Sequence, residues 1–153
     1  MTLSLRKCSI EEIEDFPNFA DILEEYALES SIGGLPHPSA KMPMYKHLEG
    51  VGALYVVCAL KDETFIGFIT ILTSVLPHYG VTIATTESFF VARAYRSTGA
   101  GMKMLRIAED YAREAGARGL LVSAPLNGVL AEVLPHVGYT ETNRVFFRSL
   151  ADE

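Results

Sequence analysis

The stretch VARAYRSTGAGMKML, residues 91–105, brings one arginine and two glycines to the point where an apolar strand-like run gives way to a helix-like one. A helix N-terminus leaves its first backbone N–H groups without internal partners, and the helix dipole adds partial positive charge there. A diphosphate at such an end accepts several of those N–H groups at once. Gly99 and Gly101 remove Cβ atoms that would hold a phosphate off the backbone, and glycine tolerates positive φ. Arg96 adds a charge-assisted bond to the same anion. The chemistry on offer is the anchoring of a pyrophosphate; the plain alternative is a glycine-rich turn with no ligand. Neither the G-K-[ST] of a P-loop nor the G-x-G-x-x-G of a dinucleotide-binding turn fits the stretch better.

The elements around this turn can be read from periodicity. LSLRKCSI, residues 3–10, is a first strand, and Ser9 with Glu12 forms an S-x-x-E capping box that starts a helix. Pro17 interrupts, and Phe19, Ile22, Leu23, Tyr26 and Ala27 resume a helical stripe that ends by Gly33 and Gly34. GGLPHPSAKMP, residues 33–43, is a loop before a short helix over 44–49. ALYVVCAL and TFIGFITIL flank the polar KDE as a hairpin, SVLPHYG makes the next turn, and VTIATTESFFV, residues 81–91, is a third strand. From Gly101 to Ala115 the period becomes helical, with Met104, Leu105, Ala108, Tyr111, Ala112 and Ala115 on one face and Gly116 as C-cap. RGLLVSAP, residues 118–125, reads as a buried parallel strand, completing a β-α-β unit over 82–124. A short helix over 127–136 stops at Gly138, and YTETNRVFFRSL, residues 139–150, supplies a last strand. The expected architecture is α+β, one domain with a mixed sheet.

Composition sets the outer bounds. The chain has 153 residues, 49% apolar and 21% charged, enough for one domain with its own core. Its net charge of −6, with acids grouped over 11–15 and at Asp21, Glu24 and Glu25, opposes nucleic-acid binding and is compatible with a cationic acceptor. No apolar run is long enough for a membrane span, and the N-terminus lacks a signal-like core, so a cytoplasmic location is expected. Cys8 and Cys58 read as reduced core thiols, and His37, His47 and His78 are scattered without ligand spacing, so no metal is expected.

VARAYRSTGAG, residues 91–101, resembles the V-x-P-x-Y-R-x-x-G-x-G segment of the GNAT N-acetyltransferases, with Arg93 in place of the proline. NGVLAEVLPHVGY, residues 127–139, is similar to the family's N-(x)10-G-F segment. Element order agrees over most of the chain, although the first 50 residues match in that order alone. The resemblance implies a GNAT fold: a central, largely antiparallel twisted sheet flanked by helices, with the β-α-β unit binding acetyl-CoA. It implies that Phe89 and Val91 pair their backbones with the pantetheine arm. Arg96, Ser97, Thr98, Gly99, Ala100 and Gly101 would cradle the pyrophosphate, and Asn127 would touch the cofactor's far arm. Family habit and the apolar final strand suggest a homodimer.

Acetyl transfer needs a neutral amine, and a lysine-like amine has a pKa near ~10.4, so a positioned base must take its proton. Glu87 is the single acid on the strand leading into the motif and in regular alternation shares a face with Phe89 and Val91. It is the candidate base; Thr85 occupies the more upstream place where family members often carry a carboxylate. The family commonly places a tyrosine seven residues after the asparagine to protonate the departing thiolate, and here Leu134 stands there. His136 is the named substitute, with Ser123 and Tyr139 as others. A thiol of pKa near ~8.5 leaves acceptably as a thiolate, which limits what that acid must supply. The expected activity is acetyl transfer from acetyl-CoA to a small-molecule or peptide primary amine. The alternative is an acyl-CoA-binding sensor or interaction module with little or no transfer.

Overall fold

A computed structural model describes residues 2–36 and 41–151, so residues 37–40 of the expected loop, His37 among them, lie outside the described residues. Strand β1 (Leu3–Lys7) ends where Ser9 begins helix α1 (Ile10–Glu14), its Oγ accepting the Glu12 N–H at 3.1 Å. The other arm of the expected capping box is redirected, because the Glu12 carboxylate lies 2.6 Å from the Arg6 guanidinium. Helix α2 (Phe19–Ser30) follows Pro17. Helix α3 (Met42–Gly50) starts two residues earlier than expected, with Pro43 in its first turn, where a missing N–H has no partner to lose.

Strands β2 (Leu54–Lys61) and β3 (Thr64–Leu76) form the hairpin, turned at Asp62 and Glu63, both at positive φ of 48° and 70°. Strand β4 (Val81–Val91) returns beside β3, and a 3-10 turn over Arg93–Thr98 leads into helix α4 (Ala100–Glu114) and strand β5 (Leu120–Leu121). The sheet order is β1-β2-β3-β4-β5, antiparallel throughout except for the parallel pair β4–β5. Among the described residues no helix is long and apolar enough to cross a membrane.

Each face of the sheet has its own core. On one, Val57, Ile66, Ile69 and Ile71 pack against Met104, Leu105 and Ala108 of α4. On the other, Val56, Cys58, Phe65, Phe68 and Phe90 meet Ile10, Ile13 and Ile22 of α1 and α2. Successive residues of β2 thus serve opposite layers, as the pleat requires. Cys8 and Cys58 are buried free thiols in the second layer. Ala115, expected on the apolar face of α4, is exposed just past its end.

The C-terminal third departs from the sequence expectation. The strand over 118–125 shrinks to Leu120–Leu121, and residues 139–150 form no strand at all. A strand is held by its neighbour's ladder, and a two-residue β5 offers almost no outer edge on which to build another. Apolar composition without a partner is insufficient, and Val145, Phe146 and Leu150 are left 88%, 91% and 88% exposed. The helix over 127–136 divides into helix α5 (Val129–Val133) and a 3-10 turn over Leu134–Val137, closed by Gly138 at φ 97°.

Candidate active site

The β3–β4 ladder slips by one residue in its middle. Thr70 faces Ser88, whereas Ile71 faces Thr86, so Glu87 is an extra residue in β4. A bulge of this kind leaves one residue out of the pairing and breaks the alternation. Glu87 therefore does not share a face with Phe89 and Val91, as regular alternation predicts. Phe89 and Val91 pack in the α4 layer, whereas Glu87 and Ser88 together reach the opposite side and line one cavity. That cavity, about 370 Å³, lies between β3–β4 and helices α1, α2 and α3.

Two hydroxyls hold the Glu87 carboxylate, and a third, on Ser88, supports one of them. Tyr45 on α3 donates its OH to Oε1 at 2.8 Å, and Thr70 donates its hydroxyl to Oε2 at 2.9 Å. A threonine has one proton and two lone pairs. With the proton given to Glu87, Thr70 Oγ1 accepts from the Ser88 hydroxyl at 2.6 Å and from the Ser88 N–H at 2.9 Å. Burial foremost, and then the charge of Glu87, push the Tyr45 phenol far above its usual range, so it stays a donor. The same two causes raise the Tyr26 phenol in the cavity wall. No local spacing marks Tyr45, Thr70 or Ser88 in the sequence, because their convergence depends on register. Gly67 did carry a signal, a glycine inside a strand. An added Cβ there would stand 2.5 Å from the Phe90 carbonyl oxygen.

The glycine turn is arranged differently at its two glycines. Gly99 has φ +81° and is the N-cap of α4, with no side-chain cap bond and nothing within 4 Å of where a Cβ would be. Gly101 has ordinary helical geometry, and a Cβ there would make ordinary contacts of 3.7 Å or more with Val91 and Phe89. Thr98 donates its hydroxyl to the Tyr95 carbonyl at 2.6 Å and accepts the Ala100 N–H at 3.3 Å; Ser97 is exposed. Arg96 donates from Nε to the Val91 carbonyl at 2.9 Å, and its guanidinium pairs with Glu29 of α2. Arg93 reaches the same carboxylate at 3.1 Å. Hydrogen bonding from Arg96 foremost holds the Glu29 carboxyl below its ordinary value, opposed in part by burial and assisted by Arg93.

Beside the turn, β4 and β5 part. They pair at Ala84–Leu120 and Thr85–Leu121, and the Ser123 N–H still reaches Thr86 Oγ1 at 3.2 Å. Further along, the Ala92 N–H donates to the Ile66 carbonyl, so alternation turns the main-chain groups of Phe89 and Val91 away from β3. An extended chain carrying amides can add there as a strand. With the N-terminus of α4 alongside, where Gly99 carries no side chain and Thr98 accepts only the Ala100 N–H, this edge could receive an amide-bearing arm that ends in a diphosphate.

The remaining candidates lie outside this grouping. Asn127 is exposed at φ 61° in the turn before α5, and His136 is exposed in the 3-10 turn after it. Leu134, 8% exposed, belongs to the core under α4. Tyr139 donates its OH to Glu109 of α4 at 3.3 Å. Of the three alternatives to the missing tyrosine, Ser123 is the one bonded to β4, beside the bulge. Among the described residues no group of three or more His, Cys, Asp or Glu is arranged to hold a metal.

The model of the GNAT acetyltransferase family matches residues 19–131. The chain belongs to this family. It is an acyl-CoA-dependent N-acetyltransferase by that membership. No curated protein matches it in sequence. Solved structures share its GNAT fold at low identity. Ribosomal-protein-alanine N-acetyltransferase from Brucella melitensis biovar Abortus 2308 superposes with a TM-score of 0.72 at 17% identity, covering 97% of this chain and 98% of that one. An aminoglycoside acetyltransferase, HMB0005, from an uncultured soil metagenomic sample gives 0.75 at 13%, covering 99% and 100%. AAC(6')-Iy, bound to a CoA-S-monomethyl-acetylneamine bisubstrate analogue, gives 0.75 at 18%, covering 97% of each chain.

Proposed function

We propose that this GNAT protein moves an acetyl group from acetyl-CoA to a primary amine by direct attack within a ternary complex, with Glu87 as general base. The observation that carries this reading is the bulge, which delivers a carboxylate clamped by two hydroxyl donors to a cavity beside the parted strands. The Phe89 and Val91 main chain would align the pantetheine arm. The turn from Arg96 to Gly101 would hold the diphosphate, and Asn127 would meet the far arm.

An ammonium cannot attack, so Glu87 accepts its proton, directly or through water, as the amine lone pair reaches the thioester carbon. The C–N bond forms and the C–S bond breaks; the thiolate takes a proton from His136 or Ser123, which regains one as the new amide nitrogen sheds its second proton. A bisubstrate analogue joining CoA to an amine occupies AAC(6')-Iy, which agrees with simultaneous binding of both substrates here.

Glu87→Gln tests the base. It should lower kcat/KM at neutral pH by about 10²–10⁴-fold, the usual range for a lost general base. The deficit should shrink as pH approaches the pKa of the acceptor, where the amine is neutral without help. A variant whose profile runs parallel to that of the parent at every pH would remove Glu87 from the proton transfer.

A further inference from the structure

The same cavity narrows the class of acceptor, an inference that rests on the transferase reading above. Its walls are Ile13, Phe19, Leu23, Met42, Leu48 and Phe68, apolar side chains from three helices and the sheet. Its polar side chains are Thr70, Glu87 and Ser88 on β3–β4 and Tyr26, Lys41 and Tyr45 on the helix side, and Glu87 is the single carboxylate among the described lining residues. The hydroxyls of Thr70 and Ser88 are already committed to each other and to Glu87. Lys41 is the single cation in the lining, so the described walls carry one charge of each sign.

An acceptor with several ammonium groups would bury all but one of them without a carboxylate, next to a like-charged lysine. Burying an unpaired charge against hydrocarbon is strongly unfavourable. The many hydroxyl groups of a sugar would likewise lose water for few partners, chiefly the Tyr26 phenol and Lys41. An acceptor with one amine on a hydrocarbon body meets neither cost. Its ammonium pairs with Glu87, and its body displaces water from Phe19, Leu23 and Phe68. The volume, about 370 Å³, is at the small end of the ~300–1,000 Å³ usual for ligand sites. We propose that the acceptor is an apolar primary monoamine, alkyl or aromatic, and neither a polyamine nor an aminosugar.

The test measures thiol release from acetyl-CoA with 2-phenylethylamine, hexylamine, spermidine and kanamycin, alongside binding of each amine to the CoA-bound protein by calorimetry. The two monoamines should exceed spermidine and kanamycin in kcat/KM by about tenfold or more, the discrimination available to one pocket group. Turnover or binding of spermidine or kanamycin at least equal to that of the monoamines overturns the proposal. So does failure of both monoamines to bind the CoA-bound protein. Thermal unfolding with acetyl-CoA alone reads the transferase reading separately. Ligand at 100 times Kd adds ~2.7 kcal/mol, about 5–10 °C in midpoint for a chain of this length. A shift without monoamine preference sinks only the acceptor class; no shift sinks the transferase reading first. Leu23→Glu, which adds a second carboxylate to the wall, should move preference towards 1,6-diaminohexane, while Leu23→Met should keep the parent ranking. If Leu23→Glu fails to fold, the panel on the parent protein decides.

Discussion

The Thr70 hydroxyl serves two neighbours at once: it orients Glu87 and satisfies both donors of Ser88. Thr70→Val keeps the shape and removes all three bonds, stranding the N–H and hydroxyl of a residue only 7% exposed. The expected loss is about 1–3 kcal/mol of stability for the unsatisfied groups. A further loss of about three- to tenfold in kcat/KM should follow from the looser carboxylate. Thr70→Ser, which keeps the hydroxyl, should restore both, as denaturant melts and steady-state kinetics would show. The sequence pointed to Glu87 because no other acid lies on its strand. It misdirected the side chain because a one-residue slip inverts the faces, and a slip depends on β3 as much as on β4. Tyr45 was illegible for a similar reason, since a helix far away in the chain delivers it to Glu87.

Among the elements, α2 and the turn before α4 are joined through Glu29, which holds Arg93 and Arg96 together. Its depressed carboxyl fixes the sign of a pH effect. A carboxylate with a lowered folded-state pKa stabilises the fold above its unfolded value, near ~4.3, and that contribution disappears as pH falls through the folded value. Glu29→Gln should therefore be less stable than the parent at pH 7, by about 0.2–1 kcal/mol for a pair this exposed. The gap should close in acid, and urea midpoints at both ends of that range would show it. A gap that persists in acid would assign the effect to packing. This part of the molecule was largely legible, because the turn, the glycine cap and the amphipathic α4 are local features. The partner of Arg96 was not, since Glu29 reaches it only through the packing of α2 against the sheet.

Across the whole molecule, the antiparallel strands and the crossover helix followed from hydrophobic period and turn residues. What failed was the end of the chain, where VFF has the composition of a strand but no edge to join. Strand β4 also has one residue more than its sheet requires. Excising Glu87 would bring Thr86 and Ser88 into direct succession opposite Ile71 and Thr70, and every later residue would keep its present face. The shortened chain should melt no lower than the parent and still gain stability from acetyl-CoA along the Phe89–Val91 edge, yet release thiol no faster than water does. Melting with and without acetyl-CoA, beside a thiol assay, would show it. Folding and reaction would then be separable at a single codon, with the proposed general base standing as an insertion in an otherwise complete sheet.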